Sequence, residues 1–265
     1  MPLLQLLVLA LVQGITEFLP ISSSAHLVLV PYFTGWDDQG LLIDVAVHVG
    51  TLLAVLIYFR RDVMDMIVGL VGLLSGRRRE GARLAAQVIV ASIPVVIAGA
   101  ALHRFGPDIF RNVEIIAWAT IGFGILLGAA DRLCPTTGRV GEMSYGGALF
   151  VGLAQCLALI PGTSRSGITM TAGRVLGLQR REAARFALLL SIPAILGAGT
   201  LAGVDLASAG DTRLTLDALI AGALAFVAAL IAIAAMMAWL KRASFTPFVL
   251  YRVALGVLLL YLIYA

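Results

Sequence analysis

Charged side chains are scarce in this sequence. Asp, Glu, Lys and Arg make up 13% of its 265 residues, whereas hydrophobic residues make up 60%. Soluble domains carry about 25% charged residues, so a soluble fold of this length would lack the polar side chains needed to cover its surface. The mean hydropathy of +1.00 therefore indicates an integral membrane protein.

Cysteine is also scarce. Cys134 and Cys156 are too few to form a disulfide framework, and their apolar surroundings indicate two free structural thiols. The net charge of +4 does not indicate nucleic-acid binding, because the arginines fall in short runs between apolar segments. The N-terminus lacks the charged leader and cleavage site of a signal peptide, so we expect it to stay in the mature fold.

Long apolar segments are abundant. A membrane-spanning helix needs about 20 predominantly apolar residues. Six segments satisfy that length: roughly 41–59, 84–102, 113–130, 186–204, 216–240 and 247–265. In the third, Gly124 and Gly128 form a small-xxx-small pair that favours close packing of helices. Residues 62–75 are too short to span and are predicted to lie along the membrane interface.

Two further apolar stretches are interrupted. Residues 1–16 end at Glu17 and Pro20, and residues 145–160 end at Pro161. A small polar cluster and a second apolar piece follow each proline, which predicts helix, break, helix. Irregular backbone at membrane depth is tolerated only where protein buries it or where it lines a wet cavity. The prediction is two re-entrant hairpins.

The two interrupted stretches resemble each other. When Pro20 is aligned with Pro161, an offset of 141, Ser22-Ser23 falls on Thr163-Ser164. Each half then reads as a hairpin plus three spans, which predicts an inverted-topology repeat. The predicted fold is an all-α membrane protein with a single domain over 1–265, in which the halves cover about 1–132 and 142–265.

The basic residues predict the topology. The connections at 60–83, 132–139, 174–185 and 241–242 hold 14 Lys and Arg residues, and the opposite connections hold 3. The positive-inside rule makes the first set cytoplasmic. Both termini are then predicted to lie outside, and the two hairpins enter from opposite sides.

The second polar cluster, PGTSRSGIT, spans 161–169. Backbone N–H groups at the start of a helix favour an anion, and the Arg165 guanidinium forms a planar fork that suits phosphate oxygens. An arginine at membrane depth costs free energy, so its presence there indicates a functional role. The alternative is a helix cap with an arginine that reaches the membrane edge, but the number of phosphate-friendly groups favours an anion site.

The first polar cluster, QGITEFLPISSSAH, spans 13–26. Gln13 and Glu17 share one helical face and are able to hold a hard divalent cation such as Mg²⁺ or Ca²⁺. Glu17 is alternatively a general base, or a carboxylate capped by a serine at a helix end. Ser23 and His26 are spaced as a nucleophile and its base, although a histidine near apolar residues is often a structural core residue.

Asp44 and His48 form another pair four residues apart, inside the first span. They are either a mutually bonded structural pair or part of the cavity wall behind the site.

Together, the two clusters carry a resemblance. QGITEFLPISSSAHL and PGTSRSGIT closely resemble the motifs of the undecaprenyl-pyrophosphate phosphatase family, also called the bacitracin-resistance family, and length and hydropathy agree over the whole chain. The family motifs are Glu/Gln-x-x-x-Glu followed by Pro, paired serines and His, and then Pro-Gly-x-Ser-Arg-Ser-x-x-Thr. This chain has Gln13 in the first acidic slot, which puts a mechanism with two carboxylates there in doubt.

The resemblance implies an enzyme of the bacterial inner membrane with a periplasmic site. It implies hydrolysis of undecaprenyl pyrophosphate to undecaprenyl phosphate and phosphate, dependence on a divalent cation, and recycling of the lipid carrier of cell-wall synthesis. We assign catalytic roles to Glu17, Ser23 as nucleophile, His26 as its base and later acid, and Arg165. The predicted phosphate-binding residues are Ser22, Gly162, Thr163, Ser164, Ser166 and Thr169.

Two competing hypotheses remain. A metal-bound water is an alternative nucleophile, and a carrier that moves polyprenyl phosphate between leaflets would have the same broken helices. The predicted partners are the polyprenyl pyrophosphate, the membrane and a second copy in a homodimer, without nucleic acid.

Overall fold

The computed structural model describes residues 2–36, 40–74, 80–105, 112–208 and 216–265, which form helices and no β-strand. The α-helices within those ranges are α1 (Leu3–Thr16), α2 (Ser23–Thr34), α3 (Gly40–Tyr58), α4 (Arg60–Leu74), α5 (Glu80–Phe105), α6 (Val113–Leu133), α7 (Tyr145–Cys156), α8 (Arg165–Val175), α9 (Arg180–Ser208), α10 (Leu216–Trp239) and α11 (Thr246–Tyr264). The predicted all-α class is confirmed.

Six of these helices are long and apolar enough to cross a membrane: α3, α5, α6, α9, α10 and α11. They coincide with the six predicted spans. The main difference is in α9, which begins at Arg180 rather than near residue 186. The first turn of α9 carries charged side chains that pair with neighbouring helices. The predicted span began only where the apolar run begins, so its start was placed too late.

The short segment predicted at 62–75 forms α4, whose described part ends at Leu74. It packs on α5 and exposes large apolar side chains, among them Met64, Ile67 and Val71. A helix with one exposed apolar face suits the membrane interface, and that location stays a prediction.

Both predicted breaks are present. α1 ends at Thr16 and α2 begins at Ser23, whereas α7 ends at Cys156 and passes through a short 3₁₀ turn before α8 begins at Arg165. Proline has no N–H to continue a helix and disfavours the helical conformation of the residue before it. Pro20 and Pro161 therefore lie in the irregular segments between the helices.

Ser22 and Ser164 mark the same position in the two breaks. They are the residues other than glycine with positive φ in the described chain, at 77° and 70°, and each directly precedes a helix. This pairs Ser22 with Ser164 rather than with Thr163. The alignment of the two prolines was therefore wrong by one residue, because it matched the prolines instead of the residue that turns the chain into the helix. The corrected register also matches Gln13 with Gln155, both fully buried.

Asp131, near the end of α6, joins several helices at one end of the bundle. Its carboxylate accepts hydrogen bonds from Arg174 at 3.1 Å, from Arg180 at 2.7 Å and from the backbone N–H of Phe245 at 3.1 Å. The prediction that Arg174 lies in a connection between helices is wrong. Arg174 lies in the last turn of α8, fully buried, because this carboxylate and several carbonyl groups satisfy its guanidinium.

The other basic connections lie at the same end. Arg185 of α9 pairs with Asp62 of α4, and Arg83 of α5 donates to the carbonyl of Met143 just before α7. The four connections predicted to share one side are thus linked by direct contacts. The following residues that entered the charge count lie outside the described ranges: Arg77, Arg78, Arg79, Arg111 and Arg213.

A buried apolar cluster lies toward the opposite end. Leu6 of α1, Ile43 of α3 and Ala218 of α10 belong to one buried cluster, so these three helices begin together. α6 and α11 pack closely because Gly124 and Gly128 face α11: a Cβ on Gly124 would lie 3.0 Å from the Cβ of Arg252. The predicted packing role of the glycine pair is confirmed.

Candidate active site

The two breaks meet inside the bundle, and Arg252 of α11 holds them together. Its guanidinium donates to the carbonyl groups of Gly162 at 2.9 Å, Thr163 at 2.8 Å and Pro20 at 3.4 Å. Nε donates to the carbonyl of Thr120 at 3.1 Å. Arg252 is fully buried, so these carbonyl groups replace the water that its charge would otherwise require.

A side-chain hydrogen bond also connects the breaks. Ser166 Oγ donates to the Leu19 carbonyl at 2.9 Å and lies 3.1 Å from Ser164 Oγ, which accepts from the N–H of Gly167. Ser164 is therefore the N-cap of α8, as its position before the helix favours. The hydroxyl groups of both serines therefore bond to the backbone of the breaks.

Glu17 is the centre of the polar cluster. Its Oε1 accepts from Arg165 Nη2 at 2.8 Å, while Oε2 accepts from Gln13 Nε2 at 3.0 Å and from Ser23 Oγ at 2.6 Å. His48 Nε2 lies 3.9 Å from Oε2. The carboxylate is 7% exposed, and a buried charge is stable only when it is paired and hydrogen-bonded in this way.

Several polar atoms of this cluster are buried without a partner. They are Nη1 of Arg165, Oε1 of Gln13 and Oγ1 of Thr163. Buried polar groups are nearly always hydrogen-bonded, so unpaired donors and acceptors beside a fixed ion pair are typical of a ligand site. Arg165 and Thr163 donate, as a phosphate requires, whereas Gln13 Oε1 only accepts.

Ser23 and His26 do not bond to each other. Ser23 Oγ donates to Glu17, while His26 Nδ1 lies 2.6 Å from the Ser22 carbonyl and Nε2 lies 2.6 Å from the hydroxyl of Tyr251. The structure therefore gives Ser23 a carboxylate neighbour rather than the predicted imidazole.

The remaining predicted phosphate-binding residues surround the second break. Gly162 has φ of 91°, and a Cβ there would lie 2.4 Å from the Ile116 carbonyl, so only glycine fits. Thr169 is buried, and its hydroxyl donates to the carbonyl groups of Arg165 and Ser166. Its hydroxyl proton is thus directed at the α8 backbone.

His48 is drawn into the site. Its Nδ1 lies 2.7 Å from the backbone carbonyl of Asp44, which orients Nε2 toward Glu17. The Asp44–His48 pair was predicted to be either mutually bonded or part of the cavity wall. For His48, this arrangement favours the cavity wall.

Two oxygen-bearing side chains lie side by side here. Glu17 supplies a carboxylate and Gln13 an unpaired buried amide oxygen, both of the kind that Mg²⁺ and Ca²⁺ prefer. Within the described chain, no group of three or more His, Cys, Asp and Glu side chains could hold a metal ion. A divalent cation held by Gln13 and Glu17 would therefore need further oxygen ligands from substrate and water.

Sequence reasoning missed two residues of the site. Arg252 interrupts an apolar span, and a charge in that position is itself a signal of function. Nothing in the sequence marked Tyr251 as functional, because tyrosine is common near the ends and on the faces of membrane helices. Its contact with His26 joins residues 225 positions apart.

Comparison with known proteins covers the whole chain. The profile of the family described as "Bacitracin resistance protein BacA" matches residues 6–258. An undecaprenyl-diphosphatase 1 of Rhodospirillum rubrum is 54% identical, with all of this chain and 96% of the relative aligned. The undecaprenyl-diphosphatases of Ruegeria pomeroyi and Alteromonas mediterranea are 52% and 48% identical, each over the full length of both chains.

Proposed function

Since the chain belongs to the bacitracin resistance protein BacA family, we propose that it is a membrane enzyme that hydrolyses undecaprenyl diphosphate. The products are undecaprenyl phosphate and inorganic phosphate, so the reaction returns the lipid carrier to cell-wall synthesis. The observation that carries this proposal is the Glu17–Arg165 ion pair, which joins the two motif segments in one buried cluster.

Arg165 is the principal phosphate ligand. Glu17 orients the guanidinium through Nη2, which leaves Nη1 buried and unpaired for a phosphate oxygen. Thr163 Oγ1 and the first N–H groups of α8 add donors at the same break. Donors fixed before the substrate arrives stabilise the charge that develops as the P–O bond breaks.

Ser23 is the nucleophile. Its Oγ attacks the terminal phosphorus, a P–Oγ bond forms, and the bond from that phosphorus to the bridging oxygen breaks so that undecaprenyl phosphate leaves. The Ser23 proton passes to Glu17, its hydrogen-bond partner at 2.6 Å. Phosphate oxygens compete for Arg165 and weaken its hold on the carboxylate, which raises the proton affinity of Glu17 when a base is needed.

Water completes the reaction. It attacks the phosphoserine, the P–Oγ bond breaks, and Ser23 recovers its proton from Glu17. His26, one helical turn from Ser23, takes the proton that the water loses. This division of roles differs from the sequence prediction, in which His26 served Ser23 directly.

A divalent cation binds beside the phosphates in the proposed reaction. Gln13 Oε1 and the Glu17 carboxylate would hold it, and it would neutralise phosphate charge when bound. The choice between Mg²⁺ and Ca²⁺ depends on coordination that the substrate completes.

Contacts at the basic end support the proposed membrane arrangement. α7 begins beside Arg83, and α8 ends at the Asp131 cluster, so the α7–α8 hairpin enters and leaves at the basic end of the bundle. This supports a re-entrant hairpin and, with the matching serines at 22 and 164, an inverted repeat. The basic end is then cytoplasmic, which puts the site and both termini on the periplasmic side of the inner membrane. A homodimer stays a prediction.

Phosphate release tests the function. Purified protein in detergent, where sidedness is lost, should release phosphate from undecaprenyl diphosphate, and Arg165→Ala should not. A carrier without hydrolytic activity would release no phosphate in either form, and that result would overturn the proposal.

A further inference from the structure

Tyr251 is in contact with the ring of His26. The Tyr251 hydroxyl lies 2.6 Å from His26 Nε2, and the two rings are stacked with centroids 5.7 Å apart and an interplanar angle of 9°. No other group on the described chain is bonded to Nε2. Within the described chain, Tyr251 is therefore the hydrogen-bond partner of Nε2, and His26 is a proposed catalytic residue.

The other ring nitrogen fixes the tautomer. His26 Nδ1 lies 2.6 Å from the Ser22 carbonyl, which only accepts hydrogen bonds, so Nδ1 carries the proton. In the neutral ring Nε2 then has the free electron pair, and the Tyr251 hydroxyl donates to it. The two contacts hold the imidazole from opposite edges.

A hydroxyl keeps this contact in both protonation states. It donates to neutral Nε2 and accepts from Nε2–H once the ring has taken up a proton. The ring therefore does not need to swing as it gains and loses a proton. Phenylalanine would preserve the stacking but not this bond.

α11 is well placed for such a task. Arg252, the next residue, is bonded to carbonyl groups in both breaks. The backbone that carries Tyr251 is thus held in register with the segment that carries Ser22 and His26.

We propose that Tyr251 passes a proton to His26 during the hydrolysis: its hydroxyl holds Nε2 of the Nδ1–H tautomer, and it gives its own proton to Nε2 as its oxygen takes the proton that the attacking water loses. The inference rests on the proposed function for its kinetic consequence. The hydrogen bond itself is independent of that function.

The kinetic test is Tyr251→Phe. We expect kcat to fall about tenfold, the effect of one well-placed hydrogen bond, with KM unchanged because Tyr251 does not bind the phosphates. Tyr261→Phe, an exposed tyrosine on the same helix, should leave both constants unchanged. In a His26→Gln background the Tyr251 substitution should have no further effect on kcat. An equal loss in both backgrounds would show that Tyr251 acts elsewhere and would overturn the proposal.

A spectroscopic test separates this inference from the function. The chain has 3 histidines, so ¹⁵N-histidine spectra of the protein in micelles are simple, and His26→Gln identifies the His26 signals. The parent protein should show one protonated nitrogen and one bare nitrogen for His26, and Tyr251→Phe should shift the signal of the bare Nε2, which loses its hydrogen-bond donor, while Nδ1 stays protonated on the Ser22 carbonyl. Unchanged His26 signals in Tyr251→Phe would overturn the proposal, whether or not the protein releases phosphate.

Discussion

Arg165 and Glu17, 148 residues apart in the chain, form an ion pair of 2.8 Å where the two breaks meet. Arg165 begins α8, and Glu17 follows the last residue of α1. Neither side chain would be stable alone at this depth, because a buried charge requires a partner. The pair makes each break depend on the other.

Removing the carboxylate should remove activity. In Glu17→Gln, Ser23 loses its proton acceptor and Arg165 its orienting partner, so we expect kcat to fall by at least about 100-fold. The measurement is phosphate release from undecaprenyl diphosphate. Asp65→Asn makes the same chemical change at an exposed position and should be silent. Retention of most activity in Glu17→Gln would exclude the carboxylate as base.

Replacing Arg165 by lysine should separate charge from geometry. Lysine keeps the pairing with Glu17 but lacks the planar fork that binds two acceptors at once. We expect KM to rise and kcat to fall in Arg165→Lys, and we expect activity to disappear in Arg165→Ala. Arg181→Lys, on an exposed turn of α9, is the matched control. Equal kinetics for Arg165→Lys and the parent would contradict the proposal that one guanidinium holds Glu17 and a phosphate oxygen at the same time.

A covalent intermediate should form on Ser23. Enzyme quenched rapidly during turnover of substrate labelled in the terminal phosphate should carry label on Ser23, and Ser23→Ala should carry none and turn over at least about 100-fold more slowly. Ser92→Ala, a hydroxyl that bonds only within α5, controls for the loss of a buried serine. Full turnover in Ser23→Ala would favour water as the nucleophile.

Gln13 should set the cation requirement. Gln13→Leu removes the unpaired buried amide oxygen, so we expect a higher concentration of Mg²⁺ or Ca²⁺ to be needed for half-maximal activity. The measurement is phosphate release titrated against each cation after treatment with a chelator. Gln179→Leu, whose amide donates to the Thr137 carbonyl, should not change the cation titration. An enzyme indifferent to the chelator would contradict the cation site.

Arg252 should stabilise the fold as well as the site. Arg252→Met removes the donors from several buried carbonyl groups, each loss costing about 1–3 kcal/mol, so the protein should unfold at a clearly lower temperature in detergent. Arg252→Lys should be intermediate, because an ammonium has fewer donors than a guanidinium. Arg242→Met, which is exposed, should have no effect. A parent-like unfolding temperature for Arg252→Met would show that the carbonyl groups find other partners.

The spans and breaks were predictable because hydropathy and proline act locally. Pro20 and Pro161 end helices by the chemistry of their own backbone. The Glu17–Arg165 pair was not predictable in its geometry, since it depends on how two distant helix breaks pack, although each residue was identified as functional by its charge. Arg174 shows the limit of charge counting: its partner Asp131 lies 43 residues away, and only packing decides that the guanidinium is buried rather than exposed.

The choice of partner for Ser23 also lay beyond the sequence. A Ser-x-x-His spacing brings the two side chains to one side of a helix, but it does not say where the imidazole points. The Ser22 carbonyl and Tyr251 turn His26 away from Ser23. That orientation comes from α11, which no local pattern near residue 26 reveals.

The position of Arg252 on α11 bears on how the protein is made. The carbonyl of Pro20 lies in the first break, yet its guanidinium partner is 232 residues further along the chain. Until α11 is synthesised, the Arg252 donors to the carbonyl groups of Pro20, Gly162 and Thr163 are missing. The two breaks are therefore joined through Arg252 only after the last helix has been made.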